Sequence, residues 1–181
     1  MNRKTFLTQL GGTGLLAVLP LSKTFAAQKE KRSVNSSAKE KIVRASEGVE
    51  LRIFGNPQKQ KVVGADSDNQ IFEWIDELNP GSGIPPHIHT KEDEIFRVLE
   101  GQVELMVDNK TTILKEGDMA YAPKNIVHSW KVVGDQKAKM WVSAFPSGME
   151  LMFHELHKLP PGKPDFDTVA NICDSYGIKF V

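Results

Sequence analysis

From Val49 to Phe145 the chain is cut into short runs: "VELRIFG", "NQIFEWIDEL", "EIFRVLE", "QVELMVD", "TTILK", "DMAYAP", "IVHSWKVV" and "KAKMWVSAF". They are rich in β-branched and aromatic residues, and Gly, Pro, Asn and Asp part them. Many alternate apolar with polar residues, the period of a strand with one dry and one wet face. Residues 49–146 are therefore expected to form an all-β sandwich or barrel. "DNK" at 108–110 reads as a hairpin turn and "NPGSG" at 79–83 as a longer loop.

The pattern changes on both sides of this stretch. In residues 147–181, "SGMELMFHELHKL" suits a short helix that "PPGKP" breaks. "DFDTVANICDSYG" then places Phe166, Val169, Ala170 and Cys173 at helical spacing behind Asp165 as N-cap. Two short C-terminal helices are expected to pack against the outside of the barrel. Residues 27–48 are charged and Ser-rich and read as a flexible tether.

Residues 1–26 combine a basic start, an apolar stretch from Leu10 to Leu21 and a small-residue exit at Ala26. This is the pattern of an export signal cut after Ala26, which predicts a periplasmic or secreted product. The apolar stretch carries Gly11, Gly12, Gly14 and Pro20 and is too short to span a bilayer. "NRKTFL" is similar to a twin-arginine signal with Lys4 in the second arginine position, so both the Sec and twin-arginine routes stay open. Removing Arg3, Lys4 and Lys23 leaves 20 basic against 23 acidic residues, with no basic stripe for nucleic acid. The single cysteine, Cys173, has no intramolecular disulfide partner and reads as a small buried hydrophobe.

Three of the five histidines carry the chemistry. His87 and His89 are one residue apart, so on a strand both imidazoles project from one face and can converge on one ion. Pro85 and Pro86 stiffen the approach to them. Glu94 lies five residues beyond His89, and the polar turn "TKED" lets it open the next strand facing the same cavity. His128 supplies a third imidazole. Three imidazoles and a carboxylate suit one divalent first-row transition metal (Fe, Mn, Ni, Co, Cu or Zn) better than Mg or Ca. Phe96 and Val98 share the strand face of Glu94 and Trp130 that of His128, so these three are expected to wall the cavity and contact substrate. Trp74 and Trp141 read as packing. His154 and His157, one helical turn apart, read as an exposed helix face.

Gly81, His87, His89, Glu94 and Gly101 stand at the spacing G(x)5HxH(x)4E(x)6G, and Gly117, Pro123 and His128 follow. This pairing of motifs resembles the cupin superfamily, in particular its single-domain quercetin 2,3-dioxygenase-like members. Asn125 departs from a usual glycine and Val132 from a usual asparagine, and neither changes a ligand. The resemblance implies a double-stranded β-helix, jelly-roll-like barrel, often a homodimer, with His87, His89, Glu94 and His128 holding the metal. It further implies a dioxygenase acting on a small phenolic or enolisable substrate with dioxygen, Glu94 serving as base. A metal-dependent isomerase or decarboxylase, or a binder of small ligands without catalysis, fits the same residues.

Overall fold

The computed structural model describes residues 38–160 and 164–181. The expected export signal, the tether up to residue 37 and residues 161–163 of the break between the helices lie outside the described residues. Among the described residues eleven strands and three helices follow in the order β1 (Val49–Ile53), β2 (Asn56–Val62), α1 (Gly64–Ser67), β3 (Phe72–Leu78), β4 (Gly83–His89), β5 (Asp93–Glu100), β6 (Gln102–Val107), β7 (Lys110–Lys115), β8 (Met119–Ala122), β9 (His128–Val132), β10 (Ala138–Phe145), α2 (Met149–Leu156), α3 (Phe166–Ser175) and β11 (Ile178–Phe180).

They pair into a six-stranded sheet, β1-β2-β3-β10-β5-β8, and a five-stranded sheet, β11-β4-β9-β6-β7. All the pairings are antiparallel. The expected barrel is thus a jelly roll of two sheets; no strand pairing joins them among the described residues. The two sheets bury their inner faces against each other, which suffices to dry the core without closure.

Alternation explains which residues fill that core. On β5, Glu94, Phe96 and Val98 are buried, while Asp93, Ile95, Arg97 and Leu99 are only partly so. Across the sheet, Phe96 pairs with Val142, and Val142 with Trp74, so one inner row runs over three strands. Phe72, Phe96 and Met140 are fully buried, each contributing roughly 1.5–3 kcal/mol of transfer free energy. Two-residue turns set the registers of two hairpins. Asp108 and Asn109 both have positive φ between β6 and β7, and Phe54 and Gly55 do the same between β1 and β2. That is the type I′ pattern matching strand twist.

β2 lies outside the runs singled out by pattern. Its inner-face residues are Gln58 and Gln60, both buried, so it carries no apolar alternation. The end of the expected tether is fastened to it: the Lys61 ammonium donates to the carbonyls of Arg44 and Ala45 at 3.0 and 2.9 Å, and to that of Glu47. Burial, with the positive charge of Lys59, pushes the Lys61 pKa below its ordinary value.

The C-terminal helices do more than lie on the outer surface. Met149, Met152 and Leu156 of α2, with Val169 and Cys173 of α3, join the hydrophobic core. The ring of Phe153 packs on Trp74 at 5.4 Å. Glu150 fixes the start of α2, accepting from the Gly148 and Gly64 amides at 2.7 and 2.9 Å. The Asp165 carboxylate caps α3 by accepting from the Thr168 amide at 2.9 Å, as its position predicts. β11 then pairs with β4, setting Ile178 opposite His89 and Phe180 opposite His87. The extension is therefore built onto the strand that carries two of the histidines. Among the described residues no helix is long and apolar enough to cross a membrane.

Candidate metal centre

His87 and His89 alternate with Ile88 on β4 and project inward together, both buried. His128 opens β9 directly opposite His87 in the register of the two strands. The turn at Thr90–Glu92 carries the chain across to the six-stranded sheet, so Glu94 meets the histidines from the facing wall. The loop ahead of His128 is tied to β4 by the Asn125 amide, which donates to the His89 carbonyl at 2.7 Å. Asn125 itself is left-handed, φ 64°. Asparagine tolerates that conformation better than most residues, which is why it can stand there in place of glycine.

The result is one buried cluster. A ligand atom from each of His87, His89, Glu94 and His128 lies within 4.8 Å of the others. Glu94 Oε2 is 3.1 Å from His128 Nε2 and 3.5 Å from His89 Nε2. His87 Nδ1 donates to the Pro85 carbonyl at 2.9 Å and His128 Nδ1 to the Ile126 carbonyl at 3.0 Å. Those bonds turn the Nε2 atoms toward the centre, the tautomer a metal needs.

Electrostatics agree with that use. Burial, then the neighbouring imidazoles, lowers His87 to about 4, and burial likewise lowers His89, so both are neutral ligands at ordinary pH. Burial opposes charge on Glu94 as well, but His89, His128 and His87 outweigh it and hold the carboxyl below its usual value. Burial also works against a charged His128, and there the Glu94 carboxylate prevails, raising the pKa. Three nitrogen donors and one carboxylate at this separation fit a single divalent transition metal.

The comparisons with known proteins agree. Residues 74–145 match the family model described as "Cupin domain". Over those residues the chain carries a cupin domain. It is 33% identical over 138 residues to quercetin 2,3-dioxygenase of Bacillus subtilis, a match covering 71% of this chain and 41% of that one. Among solved structures, KdgF from Halomonas sp. superposes with a TM-score of 0.56 at 17% identity, covering 62% of this chain and 99% of the other. A predicted oxalate decarboxylase from Thermotoga maritima gives 0.55 at 22% identity, covering 59% and 99%. At those identities the structures establish the fold alone. The chain spans less than half the length of the Bacillus relative.

The cupin cluster opens onto a cavity of about 330 Å³. Phe96 and Trp130 line it, as expected, together with His87, His89 and Glu94. Val98 does not: it is 1% exposed and lies in the core, where its row on β5 packs against Met140. Trp74, read from sequence as packing, lines the cavity, as do Met152 and Phe153 of α2. Gln58 and Asp76 line it too, and sequence reading passed over both. The signal for Asp76 was present, because "FEWIDEL" puts a carboxylate in line with Phe72, Trp74 and Leu78 on the dry face. His154 and His157 join no metal cluster among the described residues. His157 Nδ1 instead accepts from the Arg52 amide at 3.1 Å, anchoring the end of α2 to β1. Cys173 is buried, and burial pushes its thiol up to about 11.

Proposed function

We propose that this cupin is an exported, metal-dependent dioxygenase acting on a small phenolic or enolisable substrate. The observation that carries the reading is a buried three-histidine, one-carboxylate cluster facing a cavity with largely apolar walls. The likeness to a quercetin 2,3-dioxygenase supports the reaction class. His87, His89, His128 and Glu94 would hold the ion. When bound, a divalent transition metal supplies Lewis acidity toward a substrate enolate oxygen and toward dioxygen.

The chain's own groups supply the rest. Glu94, held as a carboxylate by the surrounding imidazoles, accepts the proton of the substrate's enol or phenol hydroxyl at Oε2. Phe96, Trp130 and Phe153 wall the cavity, exclude bulk water and orient a flat ring. The electrons that reduce dioxygen come from the substrate enolate and both oxygen atoms enter the product, so no separate reductant is required.

Oxygen uptake by metal-loaded protein in the presence of flavonols and β-diketones tests the reading. Uptake that follows substrate and disappears in His128→Ala supports it. Turnover that continues without oxygen would replace it with an isomerase or decarboxylase. Export rests on residues 1–26 and is tested separately: protein recovered outside the cytoplasm should begin at Ala27.

A further inference from the structure

The cavity has a polar end that the metal chemistry does not use. Gln58 on β2 pairs with Asp76 on β3, and both line the cavity. Asp76 Oδ1 accepts from Gln58 Nε2 at 3.1 Å and Oδ2 from Trp74 Nε1 at 2.8 Å. Behind them, Gln60 Nε2 donates to Gln58 Oε1 at 3.4 Å, holding the Gln58 amide in orientation. Each carboxylate oxygen can accept a further hydrogen bond, so the pair of donors fixes the group without exhausting it.

Asp76 pairs with no lysine, arginine or histidine among the described residues. Burial outweighs its two donors and pushes the carboxyl up to about 6. A leucine or valine would fill this inner-face position at no such cost, since an uncompensated carboxylate in an apolar wall destabilises the fold. Register places it away from the metal cluster: Asp76 lies opposite Met140, Glu94 opposite Ala144, and the row Trp74, Val142, Phe96 runs between. That row joins the strands of the two carboxylates, Trp74 standing two residues from Asp76 on β3 and Phe96 two from Glu94 on β5, and the Glu94 charge still reaches Asp76 and helps to raise its carboxyl.

We infer that Asp76, held by Gln58 and Trp74, is a second recognition point that accepts a hydrogen bond from a hydroxyl at the far end of an elongated substrate. The other end carries the metal-binding oxygen, and flat rings occupy the apolar row between. This rests on the proposed dioxygenase reading and narrows its substrate to aromatic molecules hydroxylated at both ends.

Two probes test it, bound without oxygen to the metal-loaded protein: unsubstituted flavonol, and a flavonol with one added hydroxyl on its pendant ring. Wild type should bind the hydroxylated probe about tenfold more tightly or better, the range of a hydrogen bond to a charged group. Asp76→Ala should erase that preference, the ratio of the two affinities falling to about one, and its retained binding of unsubstituted flavonol shows the variant to be folded. If Asp76→Ala binds neither probe, Asp76→Asn is read in the same way, and loss of both probes there overturns the inference. A preference that persists in Asp76→Ala, or is absent from wild type, overturns the inference and leaves the dioxygenase reading intact. Failure of wild type to bind either probe overturns the flavonol form of that reading and the inference with it.

Discussion

The three histidines are not held alike, and the difference predicts a role for Glu92. His87 and His128 each donate Nδ1–H to a carbonyl two residues earlier. His89 Nδ1 has no hydrogen-bond partner, and the nearby Glu92 Oε2 has none either. Both are buried, 3.9 Å apart, which is too far for a hydrogen bond but within reach of a turn of the carboxylate. An ion on Nε2 leaves Nδ1 protonated and in need of an acceptor, and Glu92 is placed to be it. A hydrogen bond to a charged group contributes roughly 1.5–3 kcal/mol, so its loss should weaken metal binding by about 10- to 100-fold. Glu92→Ala should raise the Kd for Co²⁺ or Mn²⁺ by that factor, measured by competition with a chromophoric chelator at one fixed pH. Glu92→Gln, whose amide oxygen still accepts, should recover part of it. The apoprotein of Glu92→Ala should be no less stable in denaturant than wild type, because burial already pushes this carboxyl up to about 7 and removing it relieves that cost. An unchanged Kd in Glu92→Ala would refute the assignment, and so would equal weakening in both variants.

Asn125→Gly should leave the denaturation midpoint nearly unchanged, whereas Asn125→Val should lower stability by at least about 1–2 kcal/mol, because φ is 64° there. Lys61→Met removes the ammonium that gathers the carbonyls of Arg44, Ala45 and Glu47, and limited proteolysis should then cut within residues 38–48 much faster than in wild type. Cys173 should resist thiol reagents at neutral pH until the protein unfolds, since its thiol is buried and pushed up to about 11. Asp76 should leave a pH signature: its folded pKa of about 6 exceeds the ordinary value of 3.8, so the native carboxyl keeps its proton over a range where the unfolded one releases it. Stability therefore falls as pH rises from about 4 to 6 and stays lower above, by about 3 kcal/mol. Asp76→Asn should flatten that fall, read as the difference between the pH–stability curves of the two proteins.

Strand character was legible wherever apolar residues alternate, as in "EIFRVLE" and "KAKMWVSAF", because one face of each is dry. The metal cluster was legible for a related reason: His-x-His on a strand can only point one way, and the turn before Glu94 resets its face. β2 was not legible, since its inward residues are Gln58 and Gln60 and it contains Pro57. β11 is three residues long, and its pairing with β4 is a tertiary fact that no local pattern announces. The inward packing of α2 and α3 escaped for the same reason. Their amphipathic faces show that they cover something apolar, but not that it is the wall of the cavity.

The residues that spoil the pattern also locate the chemistry. An inner face is dry because each apolar side chain there gains transfer free energy, so a polar group in that position must be held by partners or by a ligand. On these two sheets the exceptions fall into two groups. His87, His89, Glu94 and His128 satisfy one another only in part and leave four ligand atoms turned toward one point. Gln58, Gln60 and Asp76 are linked through amide donors but leave Gln60 Oε1 without a partner and a carboxylate without a cation. The row Trp74, Val142, Phe96 lies between the strand positions of the two groups, and its apolar character offers neither of them a hydrogen-bond partner. Replacing Asp76 and Gln58 together by Leu should therefore raise the stability of the empty protein while weakening its hold on a doubly hydroxylated ligand. A loss of stability in that double variant would show instead that the polar group serves the fold.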